Sequence, residues 1–191
     1  MALRQSRMLD IGTPAPDFVL PDPAGKLHAL KEFSGSPALL VAFICNHCPY
    51  VKHVLDGFVA FAREYSTKGL AVVAISANDI ASYPDDAPPA MAKLARERGF
   101  DFPYLFDESQ AVAKAYQAVC TPDFFLFDRT RRLVYRGQFD GSRPVGRIPV
   151  TGTDLRAATD ALLAGRPVPS AQVASAGCSI KWTPGNAPDW A

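Results

Sequence analysis

Two cysteines two residues apart, Cys45 and Cys48, stand in the run Phe43-Ile44-Cys45-Asn46-His47-Cys48-Pro49-Tyr50-Val51. Thiols at this spacing can close a small disulfide ring, so one attacks a sulfur and the other resolves the mixed disulfide. An apolar run, 38–44, feeds directly into the pair, and a long helical pattern follows it. The order predicts a buried strand, a turn, and two thiols at the first turn of a helix. Unpaired peptide N–H groups and the positive end of the helix dipole favour a thiolate there. His47, between the two, would lower the first thiol's pKa further when protonated.

The elements that must position this pair can be read from periodicity. Residues 38–44 show almost no polar alternation, as expected of a strand covered on both faces. Val51, Val54, Leu55, Phe58, Val59, Phe61 and Ala62 recur at helical spacing, predicting a helix over 51–67 that Gly69 ends. Residues 70–76 read as a second buried strand, which makes a strand–helix–strand unit and a parallel pair. Ahead of it, 18–30 reads as a short hairpin. Behind it come a polar, proline-rich loop over 78–89, a helix over 89–98 and an extended piece over 102–106. A helix over 109–118 capped by Ser109, a hairpin from 124–127 and 133–137, and a helix over 153–163 follow. Residues 1–165 thus read as one domain, with 166–191 as an extended tail lying on it, anchored by Ile180, Trp182 and Trp190.

With 191 residues the chain suffices for one well-buried domain, and a net charge of +1 gives no reason to expect nucleic acid or an anionic membrane as partner. Residues 1–10 carry charges without an apolar core segment, and no apolar run approaches the length of a bilayer span. A cytoplasmic protein is therefore expected. Four cysteines are too few for a disulfide scaffold, so the Cys-x-x-Cys pair points to redox or metal chemistry.

The order of elements resembles the thioredoxin superfamily with the extensions of its peroxiredoxin branch. The opening Ala15-Pro16-Asp17-Phe18, followed by Leu20, Asp22, Gly25, Leu30, Phe33 and Gly35, is similar to that of the alkyl hydroperoxide reductase / thiol-specific antioxidant (AhpC/TSA) family. The run from Cys45 to Val51, with Cys120-Thr121-Pro122-Asp123 and the tail 177–182, resembles a peroxiredoxin-like subgroup. The resemblance implies an α/β thioredoxin-like fold with an N-terminal β-hairpin extension, a central mixed sheet flanked by helices, and an extended C-terminal tail. It implies Cys45 as exposed nucleophile, Cys48 as buried resolver, and Asn46 and His47 as the dipeptide that tunes the redox balance. Pro122 falls where the family carries a cis-proline, so Thr121 would present its backbone to substrate and Pro122 would shield the cysteines.

The buried acid that thioredoxins carry before the motif falls here at Leu39; Asp79 is the candidate proton acceptor because its loop, after the second strand, should neighbour the motif. Cys120, two residues before Pro122, and Cys178, in the tail, read as auxiliary thiols or as buried packing residues, with packing preferred for both. Asp107, Glu108, Arg129, Arg131 and Arg132 read as solvated turn charges.

The leading expectation is a thiol–disulfide oxidoreductase without cofactor, acting on a protein or small-molecule disulfide and recharged by an unidentified thiol reductant. A thiol peroxidase is the first alternative. The threonine that peroxiredoxins place three residues before their reactive cysteine falls at Ala42 or Cys45, which ranks peroxide reduction second. A metal site built on Cys45, His47, Cys48 and Cys120 is the third, since thiolates and imidazole suit zinc or copper(I). Oligomeric state is not readable from the sequence.

Overall fold

The computed structural model describes residues 3–191. Its centre is a five-stranded mixed sheet in the order β6-β5-β4-β8-β9, comprising β4 (Ala38–Phe43), β5 (Leu70–Ser76), β6 (Tyr104–Phe106), β8 (Asp123–Phe127) and β9 (Leu133–Gly137). β4, β5 and β6 run parallel, while β8 and β9 are antiparallel to their neighbours. All six residues of β4 are buried, as its lack of polar alternation predicts. Because side chains alternate along a strand, β4 divides its residues between two cores. Ala38, Leu40 and Ala42 face the core under helices α1 (Pro49–Ser66), α2 (Pro88–Arg98) and α4 (Thr153–Leu163). Leu39, Val41 and Phe43 face the core closed by α3 (Ala111–Ala115) and by the hairpin of β2 (Val19–Pro21) and β3 (Leu27–Ala29). Burying each such leucine stabilises the fold by about 1.5–3 kcal/mol.

The register of the sheet determines where the chemistry sits. Phe43, the last residue of β4, pairs with Asp123, the first of β8. The residues beyond both ends, Ile44-Cys45 and Pro122-Thr121, therefore leave the sheet side by side. The Thr121–Pro122 peptide is cis, as the resemblance implies.

Three expectations are corrected and one is refined. The helix expected over 109–118 is confined to α3, because Gln110 and Gln117 adopt left-handed backbone conformations at its two ends. Its N-cap is Gln110, not Ser109; the Ser109 hydroxyl accepts from the Ala111 amide, and the Gln110 side chain binds the carbonyls of Ala77 and Lys181. The tail is more than an extended cover: β10 (Ala176–Ser179) lies between β1 (Leu3–Gln5) and β7 (Cys120–Thr121) in a second, three-stranded sheet. Asp107 and Arg131 are not solvated charges. Asp107 is buried and accepts from the Ala113 amide, and Arg131 donates to the carbonyls of Phe33, Ser36 and Asp128. Ile180 is buried, and Trp182 packs against the same core with its ring set edge-on to Trp190.

Candidate active site

Cys48 is the N-cap of α1, and Pro49 occupies the first turn, where its missing N–H costs nothing. Cys45 lies outside the helix, in the turn that follows β4, so only one of the two thiols stands at the helix start. The exposed-nucleophile expectation also fails in this reduced state: Cys45 is 1% exposed and Cys48 0%. Burial follows from the register, which closes the Thr121–Pro122 segment over the turn. Cys45 Sγ lies 3.3 Å from Thr121 Oγ1, and the Cys48 thiol donates to the Thr121 carbonyl oxygen at 3.2 Å.

The two sulfurs share a titration. The Cys45 thiol is held well above its ordinary range, chiefly by its hydrogen bond to Cys48, then by burial and the nearby Asp86 carboxylate; the Thr121 hydroxyl pulls the other way. The first proton of the pair leaves Cys48 at about 5. The hydrogen bond from Cys45 is the main cause, and burial opposes it. The Cys178 side chain and the amides of Val51 and Cys178 reinforce the thiolate. As a thiol Cys48 has one acceptor, Thr121 O; as a thiolate it has several donors, which is why the thiolate prevails.

Asp86 is the residue that sequence reasoning missed. It closes the 3-10 turn Pro84–Asp86 and is fully buried. Its Oδ1 accepts from the amides of Asn46 (2.7 Å) and His47 (3.2 Å), and its Oδ2 binds Asn78 Nδ2 (2.7 Å) and His47 Nδ1 (2.6 Å). The carboxylate thereby ties the loop after β5 to the Cys-x-x-Cys turn. The Asn46 side chain is fixed in turn by the Tyr104 hydroxyl at 3.1 Å. Asp79, the expected proton acceptor, sits elsewhere in that loop and caps its own turn through the Ala81 amide and the Ser82 hydroxyl. A proline-flanked Pro84-Asp85-Asp86-Ala87-Pro88 carries no periodic signal that would have singled out Asp86.

The auxiliary thiols are both buried but differ in placement. Cys178 lies opposite Thr121 in the β7–β10 ladder and meets Cys48, so the structure brings it to the site. Burial, followed by its contact with Cys48, pushes its thiol up to about 12. Burial likewise raises Cys120 well above its ordinary range, and its sulfur faces the Pro122 carbonyl. Among the described residues, Cys45, His47 and Asp86 bring one potential ligand atom each within 4.8 Å of one another. This is not the expected set with Cys48 and Cys120. Both Asp86 oxygens and His47 Nδ1 are committed to hydrogen bonds, so the cluster is a bonded network rather than a ligand cage.

Comparison with known proteins places the chain in a family. Residues 11–136 match the model of the AhpC/TSA family. The thiol-disulfide oxidoreductase ResA of Bacillus thuringiensis subsp. konkukian is 26% identical over 132 residues, 66% of this chain and 68% of that one. The crystal structure of a hypothetical protein from Sinorhizobium meliloti superposes with a TM-score of 0.94 at 55% identity, over 95% of this chain and 99% of that one. A thioredoxin family protein from Chlorobium tepidum superposes at 0.62 and 19% identity, over 82% and 99% respectively, which shows a shared fold. No helix among the described residues is long and apolar enough to cross a membrane.

Proposed function

The chain belongs to the AhpC/TSA family and is a thiol–disulfide oxidoreductase; from that premise we propose that Cys45 is its attacking sulfur and Cys48 its resolving sulfur. The observation that supports the dithiol reading is the placement of both sulfurs on Thr121; the division of roles between them is the one the family resemblance implies. One meets its hydroxyl and the other its carbonyl, so both lie within reach of a group bound at that residue. Cys45 attacks one sulfur of a substrate disulfide, the substrate S–S bond breaks, and the leaving sulfur takes a proton. Cys48 thiolate then attacks Cys45 Sγ, the mixed disulfide breaks, and Cys45–Cys48 closes as the second substrate thiol departs. Two substrate sulfurs are reduced and two protein sulfurs oxidised; a separate thiol reductant restores the pair. Asn46, through Tyr104, and His47, through Asp86, fix the turn that sets its redox balance. Such a cycle suits the reducing cytoplasm.

Thr121 supports this reading by its side chain. Thr121 is paired with Cys178 of β10, and its carbonyl already accepts the Cys48 thiol, so its hydroxyl beside Cys45 is the group left to meet a bound substrate. The test is trapping: Cys48→Ser should accumulate a mixed disulfide at Cys45, and Cys45→Ser should abolish turnover. Full disulfide reductase activity in Cys45→Ser would overturn the assignment.

A thiol peroxidase is the second reading, favoured by one observation: Thr121 Oγ1 places a hydroxyl 3.3 Å from Cys45 Sγ, although no threonine precedes the motif at the expected spacing. Here Cys45 Sγ takes one oxygen of the peroxide as the O–O bond breaks and becomes a sulfenic acid, the other oxygen leaves as water or an alcohol, and condensation with the Cys48 thiol closes the disulfide and releases water. Stopped-flow reaction of the reduced protein with hydrogen peroxide decides it: a rate like that of free cysteine removes this reading.

A further inference from the structure

The cycle above leaves one question open at the atomic level: what takes the proton of Cys45. Its thiol is hard to ionise, because Cys48, burial and the Asp86 charge all hold the proton on sulfur. The thioredoxin-type acid is absent, since Leu39 occupies its place, and Asp79 is committed to its own turn.

His47 carries the features such an acceptor needs. Its Nδ1 lies 2.6 Å from Asp86 Oδ2, and a carboxylate of this kind only accepts, so Nδ1 bears the hydrogen. Three other donors, the amides of Asn46 and His47 and the Asn78 side chain, fix that carboxylate. The ring is further held by stacking on Tyr83, with centroids 4.9 Å apart and planes 19° from parallel. With Nδ1 engaged, Nε2 is left as the ring's basic nitrogen, and it is buried with no hydrogen-bond partner. A buried, unpartnered nitrogen is costly unless it has a transient task. Cys45 Sγ, a His47 ring nitrogen and an Asp86 oxygen all lie within 4.8 Å of one another.

We propose that His47 is the proton acceptor and donor for Cys45, and that Asp86 is the positioning residue that fixes its tautomer and ring orientation. The inference rests on the thiol–disulfide reading with Cys45 as attacking sulfur. As Cys45 Sγ bonds to the substrate sulfur, its proton passes to His47 Nε2. The substrate S–S bond breaks, and the same proton passes from Nε2 to the leaving sulfur. With His47 protonated, the Asp86 charge that opposes a Cys45 thiolate is balanced, so the base that removes the proton also removes the repulsion.

The test follows Cys45 alone, in a Cys48→Ser background, reacting with a small aromatic disulfide across the neutral and alkaline pH range; peptide mass spectrometry assigns the modified sulfur. The groups facing His47 are Asp86 and Tyr83 from the loop after β5 and Cys45 from its own turn, with Lys181 beyond Tyr83 and the Tyr104 hydroxyl on the neighbouring Asn46. His47→Gln should slow the reaction roughly 100-fold near neutrality, remove an inflection from the pH profile, and approach the parent rate in alkali, where hydroxide substitutes for the base. Asp86→Asn should move the profile in the same direction. If Asp86→Asn does not fold, His47→Gln decides alone, because there the Asp86 carboxylate keeps the amides of residues 46 and 47 and the Asn78 side chain as donors. A folded His47→Gln protein with the parent's rate and pH profile overturns the proposal. Labelling at a sulfur other than Cys45 overturns the Cys45 assignment itself, whatever His47 does, so the two failures are distinguishable.

Discussion

The carbonyl of Thr121 is pressed against the Cα of Gly177: a Cβ on Gly177 would stand 2.0 Å from that oxygen and 2.6 Å from its carbon. The same oxygen accepts the Cys48 thiol at 3.2 Å on its other side. Glycine is thus required at 177 by close approach. Gly177→Ala must push β10 away from Thr121 or push Thr121 toward the thiols. Overpacking of this kind costs about 1–3 kcal/mol. Thermal unfolding should register the loss, and thiol reactivity should change with it; an unchanged melting temperature with unchanged reactivity would show that β10 yields freely.

Thr121→Val removes the hydroxyl from Cys45 while keeping the shape of the side chain. That hydroxyl is the contact that lowers the Cys45 pKa against the influences that raise it. Losing one hydrogen bond, about 0.5–1.5 kcal/mol, should slow attack by Cys45 roughly 2- to 10-fold with little change in stability. Single-turnover reaction with a small disulfide, measured beside the melting temperature, separates the two effects. If peroxide reduction fell far more than disulfide reduction, the peroxidase reading would gain.

Asp123, immediately after Pro122, is fully buried, and neither carboxyl oxygen has a hydrogen-bond partner. Burial raises its pKa well above the ordinary value. A carboxyl whose folded pKa is raised stays protonated in the native state while the unfolded chain ionises. Its contribution is therefore fully present below the unfolded value and is lost as pH rises toward the folded one. Asp123→Asn should remove that loss. Urea unfolding of the two proteins at mildly acid and at neutral pH checks it: the variant should gain on the parent as pH rises, and a constant difference would count against a neutral Asp123.

The parts of this molecule that were legible in the sequence are those with a repeating physical signal. Leu70–Ser76 and Thr153–Leu163 fall where an unbroken apolar run and helical spacing place them, and the start of α1 falls beside Cys48 because strand and helix patterns abut there. The second sheet was not legible, because β1, β7 and β10 are two to four residues each, too short for any period. Gln110 and Arg131 were missed for another reason: both adopt left-handed backbone conformations and bind carbonyls far away in the chain. Asp86 belongs to the same class. Its role comes from four donors, three of them from residues 46 and 47, that only the packing of the 3-10 turn against the motif brings to it. Local sequence gives the reactive atoms, whereas tertiary contacts give the groups that tune them.

Cys178 offers the sharpest check on that division. It lies on β10, far from the motif in sequence, yet its side chain and amide are among the groups that stabilise the Cys48 thiolate. In the reduced protein the first thiolate, that of the Cys45–Cys48 pair, should titrate at about 5, followed by ultraviolet thiolate absorbance. Cys178→Ala removes the side-chain contribution and leaves the amide. The titration should then move upward by a little under one pH unit, the worth of about 1 kcal/mol from one hydrogen bond. Since the Cys48 thiolate is the resolving group and Cys45 has no hydrogen to donate once it is in a mixed disulfide, the Cys178 contact is a larger share of what holds that thiolate, and Cys178→Ala should slow release of substrate from the mixed disulfide. A titration that did not move in the variant would assign the low value to Cys45 and the helix start alone, and would make Cys178 a packing residue.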